Sequence, residues 1–190
     1  MNKDYKICFV CTGNACRSPF AECVTRRLFA DAGIADVRVY SLGTLDWGEN
    51  PRDADMAAVA REMGYEMTGI TTPMTRDRLM AADVIIVFDE RHRDAITRVL
   101  DYSRWDRIVL FNRVAFAEGG NVEDPHYQSE AVYRRVAQHI EAGCRKLVEN
   151  YTTSPDGIFL PEITSSPAFA ANYLSEISKI RRIICRNLAK

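Results

Sequence analysis

The sequence has no surplus of charge of either sign and no long apolar run. Its 25 Lys and Arg residues against 26 Asp and Glu leave a formal net charge of -1, so the overall charge favours neither nucleic acid nor an anionic membrane as a partner. No segment approaches the roughly 20 apolar residues of a membrane-spanning helix. We therefore expect no nucleic-acid partner and no membrane span, and any anion must be bound locally.

The first residues also lack the apolar stretch and cleavage site of a signal peptide. Of the six cysteines, four crowd into the first predicted strand and helix, where regular backbone prevents most disulfides. We therefore expect free thiols and a cytoplasmic location. Cys8 and Cys11 have a zinc-like spacing, but no second pair of ligands follows. We expect neither a metal site nor a cofactor.

Apolar runs alternate with amphipathic stretches along the first 150 residues. Strands are predicted at 5–10, 37–41, 83–88 and 107–111, and helices at 19–32, 53–63, 90–100 and 129–150. Such alternation predicts an α/β fold, with an open, mostly parallel four-stranded sheet and helices on both faces. Ligands of these sheets bind beyond the carboxyl ends of the strands.

Residues 151–190 have a different character. The stretch 151–167 contains three prolines and several Ser and Thr residues, which predicts a linker. Beyond it, apolar residues recur every three or four positions, which predicts an amphipathic, basic helix. We therefore assign 1–150 to one domain and 151–190 to a linker and C-terminal helical extension. This helix could pack on the domain, on a second subunit or on a partner.

The segment Cys11-Thr-Gly-Asn-Ala-Cys-Arg17-Ser18-Pro19 lies between the first predicted strand and helix. Five residues between Cys11 and Arg17 allow the backbone to curl, so that successive N–H groups converge on one anion at the start of the helix. Gly13 and Asn14 tolerate the positive φ angles that such curling needs. The segment therefore predicts a phosphate-binding loop formed by Thr12, Gly13, Asn14, Ala15 and Cys16.

The residues at the two ends of this loop suit phosphoryl transfer. We expect Cys11 to ionise readily and act as a nucleophile, since the amides and the nearby guanidinium favour its thiolate. Arg17 offers a planar fork that can hold two phosphoryl oxygens. Ser18 could donate a hydrogen bond to the sulfur and improve it as a leaving group. The remaining cysteines, Cys8, Cys23, Cys144 and Cys185, are expected to be small apolar core residues.

At this point the residues resemble a known family. The run from Val10 to Glu22, Val-Cys-Thr-Gly-Asn-Ala-Cys-Arg-Ser-Pro-Phe-Ala-Glu, is similar to the signature of low-molecular-weight protein tyrosine phosphatases. Residues 41–47 resemble the family's segment after the second strand, 88–92 its Met-Asp-x-x-Asn turn, and 124–127 its general-acid loop. The resemblance covers roughly residues 5–150. It implies a three-layer α/β fold and a phosphatase acting on phosphorylated protein.

The resemblance also implies roles for individual residues. Cys11 attacks phosphorus, and Asp124 protonates the departing oxygen and then serves as the base for the hydrolytic water. Chemistry requires such an acid, because an alkoxide or phenolate leaves poorly without a proton. Trp47, His126 and Tyr127 are predicted as walls of the substrate pocket, although His126 stands where the family usually has an aromatic residue.

Cys16 matches a second loop cysteine of the family that forms a reversible disulfide with the nucleophile, which would protect Cys11 from over-oxidation. Packing beneath the loop is the alternative role. Three positions depart from the family. Its supporting histidine aligns with Gly69 and its turn asparagine with His92, so the hydrogen bonds behind the loop must differ. Ala15 stands where tyrosine phosphatases carry a larger aliphatic residue and arginine phosphatases carry threonine.

We therefore predict a cysteine-dependent phosphatase that hydrolyses phosphotyrosine, with phosphoarginine as the alternative substrate because residues 73–83 resemble arginine phosphatases. Two other functions are less favoured. A thiol-dependent arsenate reductase would need further downstream cysteines, and none lies between Cys23 and Cys144. A phosphate-binding module without turnover is left open by the changes at Gly69 and His92.

Overall fold

Four parallel strands form the centre of the computed structural model, which describes residues 4–153. They are β1 (Tyr5–Cys11), β2 (Val37–Gly43), β3 (Val84–Val87) and β4 (Ile108–Leu110). Their order across the sheet is β2-β1-β3-β4, and every neighbouring pair is parallel. All four residues of β3 are apolar and buried, as expected of a central strand covered on both faces. The prediction of an open, parallel α/β sheet is confirmed.

Helices cover both faces of this sheet. They are α1 (Arg17–Asp31), α2 (Ala54–Glu62), α3 (Arg76–Met80), α4 (Glu90–Thr97), α5 (Phe111–Phe116) and α6 (Glu130–Thr153), with a 3₁₀ helix at Tyr102–Arg107. On one face, Cys8 and Val10 of β1 pack in a core with Leu79 of α3 and Ile96 of α4. On the other, α6 packs against α1 and α5. The three layers implied by the family resemblance are therefore present.

Three short helical segments were not predicted, because each is too brief to show a helical period. One of them, α3, begins where the Thr75 side chain accepts a hydrogen bond from the N–H of Arg78. The strand predicted at 107–111 ends at Leu110, and Phe111 instead begins α5. Phe111 is fully buried, with its ring centroid 5.1 Å from that of Phe88. Packing against the core thus outweighs extension of this edge strand.

The C-terminal predictions lie largely outside the described residues. Helix α6 continues to Thr153, past the boundary predicted at residue 150. The rest of the predicted linker and the basic helix at 168–190 fall in the part of the chain that the structure does not describe, so the division into 1–150 and 151–190 stays a prediction. Within residues 4–153, no helix is long and apolar enough to cross a membrane.

The strand order places a cleft at the carboxyl ends of β1 and β3. The chain passes from β1 to β2 on one side and then crosses to β3 on the other, so the connections diverge between β1 and β3. Ligands of open α/β sheets bind at such a point. Here the loop after β1 meets the first turn of α4, the helix that follows β3, since Thr12 Oγ1 and His92 Nε2 lie 2.9 Å apart. The predicted phosphate-binding loop therefore lies at the position where this fold class binds ligands.

Candidate active site

The loop at residues 12–16 joins the end of β1 directly to the start of α1. Asn14 has a φ of 55°, which confirms that this position needs a left-handed conformation. Gly13 does not have a positive φ, so that part of the prediction was wrong. A Cβ at Gly13 would instead lie 2.7 Å from the Trp47 ring. Glycine is needed there because an aromatic ring lies against the loop.

The Cys11 sulfur is buried at the bottom of this loop and contacts a hydroxyl. Cys11 Sγ lies 3.0 Å from Ser18 Oγ, which is the contact predicted for leaving-group stabilisation. Ser18 is itself held in place, because its Oγ accepts a hydrogen bond of 2.9 Å from Asn14 Nδ2 and lies 3.3 Å from the Leu42 carbonyl oxygen. The hydroxyl is thus kept beside the sulfur.

Arg17 brings the loop together with a distant carboxylate. Its side chain is only 2% exposed, and Nη1 donates to the carbonyl oxygen of Val122 at 3.1 Å. Its Nη2 lies 2.5 Å from Oδ2 of Asp124, whose side chain is 42% exposed. Residues 107 positions apart therefore meet at the mouth of the loop. The structure thus brings together the two residues that the sequence analysis predicted as the phosphate clamp and the proton donor.

Asn14 is the centre of the hydrogen bonds behind the loop. Its Nδ2 donates to Ser18 and, at 2.8 Å, to Ser41 Oγ, and its Oδ1 accepts from the backbone N–H of Thr72 at 2.9 Å. Ser41 in turn donates to Glu22 Oε2 at 2.5 Å. These bonds fix the left-handed residue of the loop from the end of β2 and from α1.

Arg52 completes this support and was missed by the sequence analysis. Its Nη1 donates to both the backbone carbonyl and the side-chain oxygen of Asn14. Burial lowers the pKa of this guanidinium. A Cβ at Gly69, the position aligned with the family's supporting histidine, would lie 3.9 Å from Arg52 Nε. Arg52 thus lies beside the position that the histidine would occupy. In the sequence, the absence of that histidine was the one signal that another side chain supports the loop.

His92, at the family's turn asparagine, also contacts the loop. Its Nε2 is 2.9 Å from Thr12 Oγ1, and the ring is 3% exposed. Burial, reinforced by the positive charge of Arg17, lowers the pKa of His92 to about 4. The imidazole is therefore neutral at neutral pH and can still form the hydrogen bond to the loop. The preceding Asp89 caps α4 through its contact with the N–H of Arg91, at 2.8 Å.

Two of the three predicted wall residues line the cleft above the loop. This cleft of about 120 Å³ is lined by loop residues including Cys11 and Ala15, and by Asp124, Trp47 and His126. The Trp47 and His126 rings lie 5.4 Å apart between centroids. The Tyr127 and His126 rings lie 3.9 Å apart between centroids, but Tyr127 is 91% exposed and is not among the residues that line the cleft. Its role as a wall stays a prediction.

A second polar cluster adjoins the same cleft. The Nδ1 of His126 lies 3.1 Å from Asp53 Oδ2 and 3.9 Å from Cys16 Sγ. Asp53 Oδ2 also accepts a hydrogen bond of 3.1 Å from the Tyr133 hydroxyl, while Oδ1 caps α2 at the N–H of Met56. Burial and the negative charge of Asp53 raise the pKa of the Cys16 thiol. The sequence analysis did not anticipate Asp53 or Tyr133 at the site.

The other three cysteines of residues 4–153, Cys8, Cys23 and Cys144, do not line the cleft. The five cysteines within residues 4–153 are free. Cys8 and Cys144 are fully buried, as predicted for core residues, and burial raises the pKa of Cys144 to about 12. Cys23 is only half-buried on α1, so the prediction that it is a core residue was wrong. Cys185 lies outside the described residues. Cys11 and Cys16 are therefore the two described cysteines that line the catalytic cleft.

Comparisons with known proteins agree with this geometry. A family profile for low molecular weight phosphotyrosine protein phosphatase matches residues 6–154. A low molecular weight protein-tyrosine-phosphatase of Streptomyces coelicolor is 32% identical over 150 residues, covering 76% of this chain and 92% of the relative. A protein-arginine-phosphatase of Bacillus subtilis is 25% identical over 143 residues, covering 75% and 94%.

Among solved structures, a low molecular weight phosphotyrosine phosphatase of Vibrio cholerae superposes with a TM-score of 0.75 at 27% identity. The match covers 81% of this chain and 99% of that structure. The residues matched by the family profile include the loop at residues 12–16 and Asp124, whose carboxylate meets Arg17.

Proposed function

This chain belongs to the low-molecular-weight protein-tyrosine-phosphatase family, and we propose that it hydrolyses phosphotyrosine in proteins through a phosphorylated Cys11. The observation that carries this proposal is the meeting of three groups at one cleft: the Cys11 sulfur, the Arg17 guanidinium and the Asp124 carboxyl. The family sets the class of enzyme, and the geometry supports a role for each of these residues.

In the first step, the Cys11 sulfur attacks phosphorus and the bond from phosphorus to the tyrosine oxygen breaks. Arg17 holds two equatorial oxygens and follows their charge as the transition state forms. Asp124, in its protonated form, gives its proton to the departing phenolate oxygen. Its position 2.5 Å from Arg17 Nη2 supports this role, since the acid lies beside the clamped phosphoryl group. The products are tyrosine and a cysteinyl-phosphate.

In the second step, the Asp124 carboxylate takes a proton from water, and the water oxygen attacks phosphorus. The sulfur leaves as a thiolate, which Ser18 Oγ stabilises from 3.0 Å. Inorganic phosphate then departs and Asp124 is protonated again. Asn14, held by Arg52 and Ser41, keeps the loop in its curled form through both steps.

The walls of the cleft favour an aromatic side chain. Trp47 and His126 present two flat rings above the loop, and flat rings pack well on a phenyl ring. Cys11 is buried and lines this cleft, so we expect the long side chain of phosphotyrosine to reach it and phosphoserine to be a poor substrate. A phosphorylated protein is therefore the proposed partner.

Phosphoarginine is the second candidate substrate, and two observations favour it. Ala15 is smaller than the aliphatic residue of the family's tyrosine phosphatases, and a protein-arginine-phosphatase is among the relatives. A guanidinium can also stack on Trp47. The threonine typical of arginine phosphatases is absent at position 15, and for this reason we place phosphotyrosine first.

We also propose a cytoplasmic location, because a catalytic thiol must stay reduced and the cytoplasm keeps thiols in that state. Cell fractionation with a periplasmic or secreted marker tests this part of the proposal. Recovery with the secreted fraction would contradict it.

The substrate proposal is tested by comparing kcat/KM on two peptides of the same sequence, one carrying phosphotyrosine and the other phosphoarginine. This ratio measures differential binding of the two transition states. We expect a higher value for phosphotyrosine, with hydrolysis of both blocked by vanadate. A higher value for phosphoarginine would overturn the substrate while leaving the roles of Cys11, Arg17 and Asp124 intact.

A further inference from the structure

Three potential metal ligands meet at one side of the catalytic cleft. Cys16 Sγ, Asp53 Oδ2 and His126 Nδ1 all lie within 4.8 Å of one another. They come from three separate parts of the chain: the loop before α1, the residue that caps α2, and the segment after Asp124. We propose that these three side chains form a zinc site through which Zn²⁺ reversibly inhibits the enzyme.

The spacing of the three donor atoms suits a tetrahedral ion. Zinc bonds of about 2.0 Å to nitrogen and oxygen and 2.3 Å to sulfur place neighbouring ligands about 3.3 to 3.6 Å apart. In the structure, His126 Nδ1 lies 3.1 Å from Asp53 Oδ2 and 3.9 Å from Cys16 Sγ. Both distances from His126 Nδ1 are within about 0.4 Å of those expected for ligands of one zinc ion, and Cys16 Sγ and Asp53 Oδ2 lie within 4.8 Å of each other.

Two neighbouring groups fix the Asp53 carboxylate. Its Oδ1 accepts a hydrogen bond from the N–H of Met56, and its Oδ2 accepts one from the Tyr133 hydroxyl at 3.1 Å. Such outer hydrogen bonds are a common feature of metal sites, where they orient the ligands. The orientation of Asp53 toward the cluster is therefore built into the cap of α2 and into α6.

Charge and access also favour a cation. Cys16 is buried beside Asp53, with Asp124 nearby, so a thiolate there is unfavourable until a positive ion neutralises it. Cys16 and His126 line the catalytic cleft, which gives the ion a path from solvent and leaves its fourth position open to water. On binding, the Cys16 thiol loses its proton to solvent, and the His126 ring carries its hydrogen on Nε2 while Nδ1 binds the ion.

The consequence for activity rests on the proposed function. A divalent ion on His126 would lie beside Asp124, the proposed acid and base, and would occupy one wall of the cleft. It would also withhold Cys16 from the predicted disulfide with Cys11. Because His126 stands where the family usually has an aromatic residue, the site is a feature of this chain.

The binding test uses the reduced, full-length Cys11→Ser variant, so that the nucleophile cannot hold the metal. Co²⁺ serves as the spectroscopic probe, and Zn²⁺ is then titrated against a chromogenic chelator. We expect one Co²⁺ per chain, with a sulfur-to-metal charge-transfer band that Zn²⁺ removes. Adding Cys16→Ser should abolish the band, and adding His126→Phe or Asp53→Asn should weaken Zn²⁺ binding at least tenfold. Asparagine retains the cap of α2.

Tyr133→Phe, which leaves all three ligands in place, should weaken Zn²⁺ binding by about 10- to 100-fold, as loss of an outer hydrogen bond does. Cys23→Ser, in the same background, is the matched control and should bind as the parent does. The proposal is overturned by a charge-transfer band that survives Cys16→Ser, by unchanged affinity in His126→Phe, or by the absence of stoichiometric binding.

Inhibition is then measured with the active enzyme and para-nitrophenyl phosphate. Zn²⁺ should inhibit and EDTA should restore the rate, and His126→Phe should raise the half-inhibiting Zn²⁺ concentration at least tenfold. Inhibition that is unchanged in His126→Phe would show that Zn²⁺ acts elsewhere, for example on Cys11. A parent enzyme without turnover would refute the proposed function alone, because the binding test does not depend on activity.

Discussion

The guanidinium of Arg17 and the carboxyl of Asp124 lie 2.5 Å apart at the mouth of the loop, with the arginine buried and the aspartate partly exposed. This pairing has a consequence for substrate binding. A phosphoryl group that binds Arg17 must compete with Asp124 for the same Nη2, and the negative charges of the two groups repel each other.

Removal of Asp124 should reveal two separate effects of this residue, namely protonation of the leaving group and competition with phosphate for Arg17. We expect Asp124→Ala to lower kcat/KM, which reports the first step, by about 10²- to 10⁴-fold for phosphotyrosine peptides, whose leaving group needs a proton, and far less for para-nitrophenyl phosphate. The same variant should bind inorganic phosphate more tightly, because Arg17 loses its competing partner. Steady-state kinetics with the two substrates, and inhibition by phosphate, measure both effects.

The neighbouring Glu123 provides the matched control. It is half-exposed and pairs with Arg135 rather than with the loop, so Glu123→Ala should alter neither kcat nor phosphate inhibition. Equal losses of kcat/KM for both substrates in Asp124→Ala would show that Asp124 is not the acid.

Arg52 should position the loop without touching substrate. Arg52→Met removes the hydrogen bonds to Asn14, and we expect kcat to fall by about 10- to 100-fold, since small displacements of catalytic groups have effects of this size. Vanadate should also bind more weakly, because the loop amides diverge. Arg61→Met, an exposed position on α2, is the control. Near-ultraviolet circular dichroism must show that both variants are folded. Kinetics like those of the parent enzyme in Arg52→Met would show that Arg52 does not position the loop.

Gly13 and Trp47 should be energetically coupled. A Cβ at Gly13 would lie 2.7 Å from the Trp47 ring, so Gly13→Ala must displace the ring from the wall of the cleft. We expect KM for phosphotyrosine peptides to rise about tenfold, which corresponds to a loss of about 1.4 kcal/mol in binding free energy. A double-mutant cycle with Trp47→Ala measures the coupling. In the Trp47→Ala background, Gly13→Ala should have much less effect. Additive effects would mean that the two residues act separately.

His92 should make stability depend on pH. Its pKa is lowered from 6.5 to about 4 by burial, so the unfolded chain binds more protons than the native protein between these values. The free energy of unfolding therefore keeps its full value above pH 6.5 and decreases as the pH falls toward 4, because protonation of His92 favours the unfolded chain. The decrease amounts to at most about 3 kcal/mol. Urea unfolding across this range measures it, and His92→Asn should flatten the dependence. An unchanged slope in the variant would assign the effect to other groups.

Much of the fold and the chemical centre could be predicted because their signals are local. The apolar run of β1, followed by the loop and by Pro19 in the first turn of α1, lies in one continuous stretch. Catalytic roles for Cys11 and Arg17 could be proposed from that stretch alone. Asp124 required the family resemblance, since nothing in an Asp-Pro pair distinguishes an acid from a turn residue.

The supporting residues could not be predicted, because tertiary packing selects them. Arg52 reaches Asn14 across 38 positions, and Tyr133 reaches Asp53 across 80. Neither pair has a recognisable spacing. The conformation of Gly13 was misjudged for the same reason, since its constraint comes from the ring of Trp47 and not from its own backbone.

The most direct test of the central claim is to trap the cysteinyl-phosphate. Asp124→Ala enzyme, in which Cys11 and Arg17 are intact, is mixed with para-nitrophenyl phosphate, quenched in acid and digested for mass spectrometry. Loss of the proposed base should slow hydrolysis of the intermediate. We predict one phosphate per chain on the peptide that contains Cys11, and none in the Cys11→Ser, Asp124→Ala double variant. Turnover without a phosphorylated Cys11, or phosphate on another residue, would contradict the account.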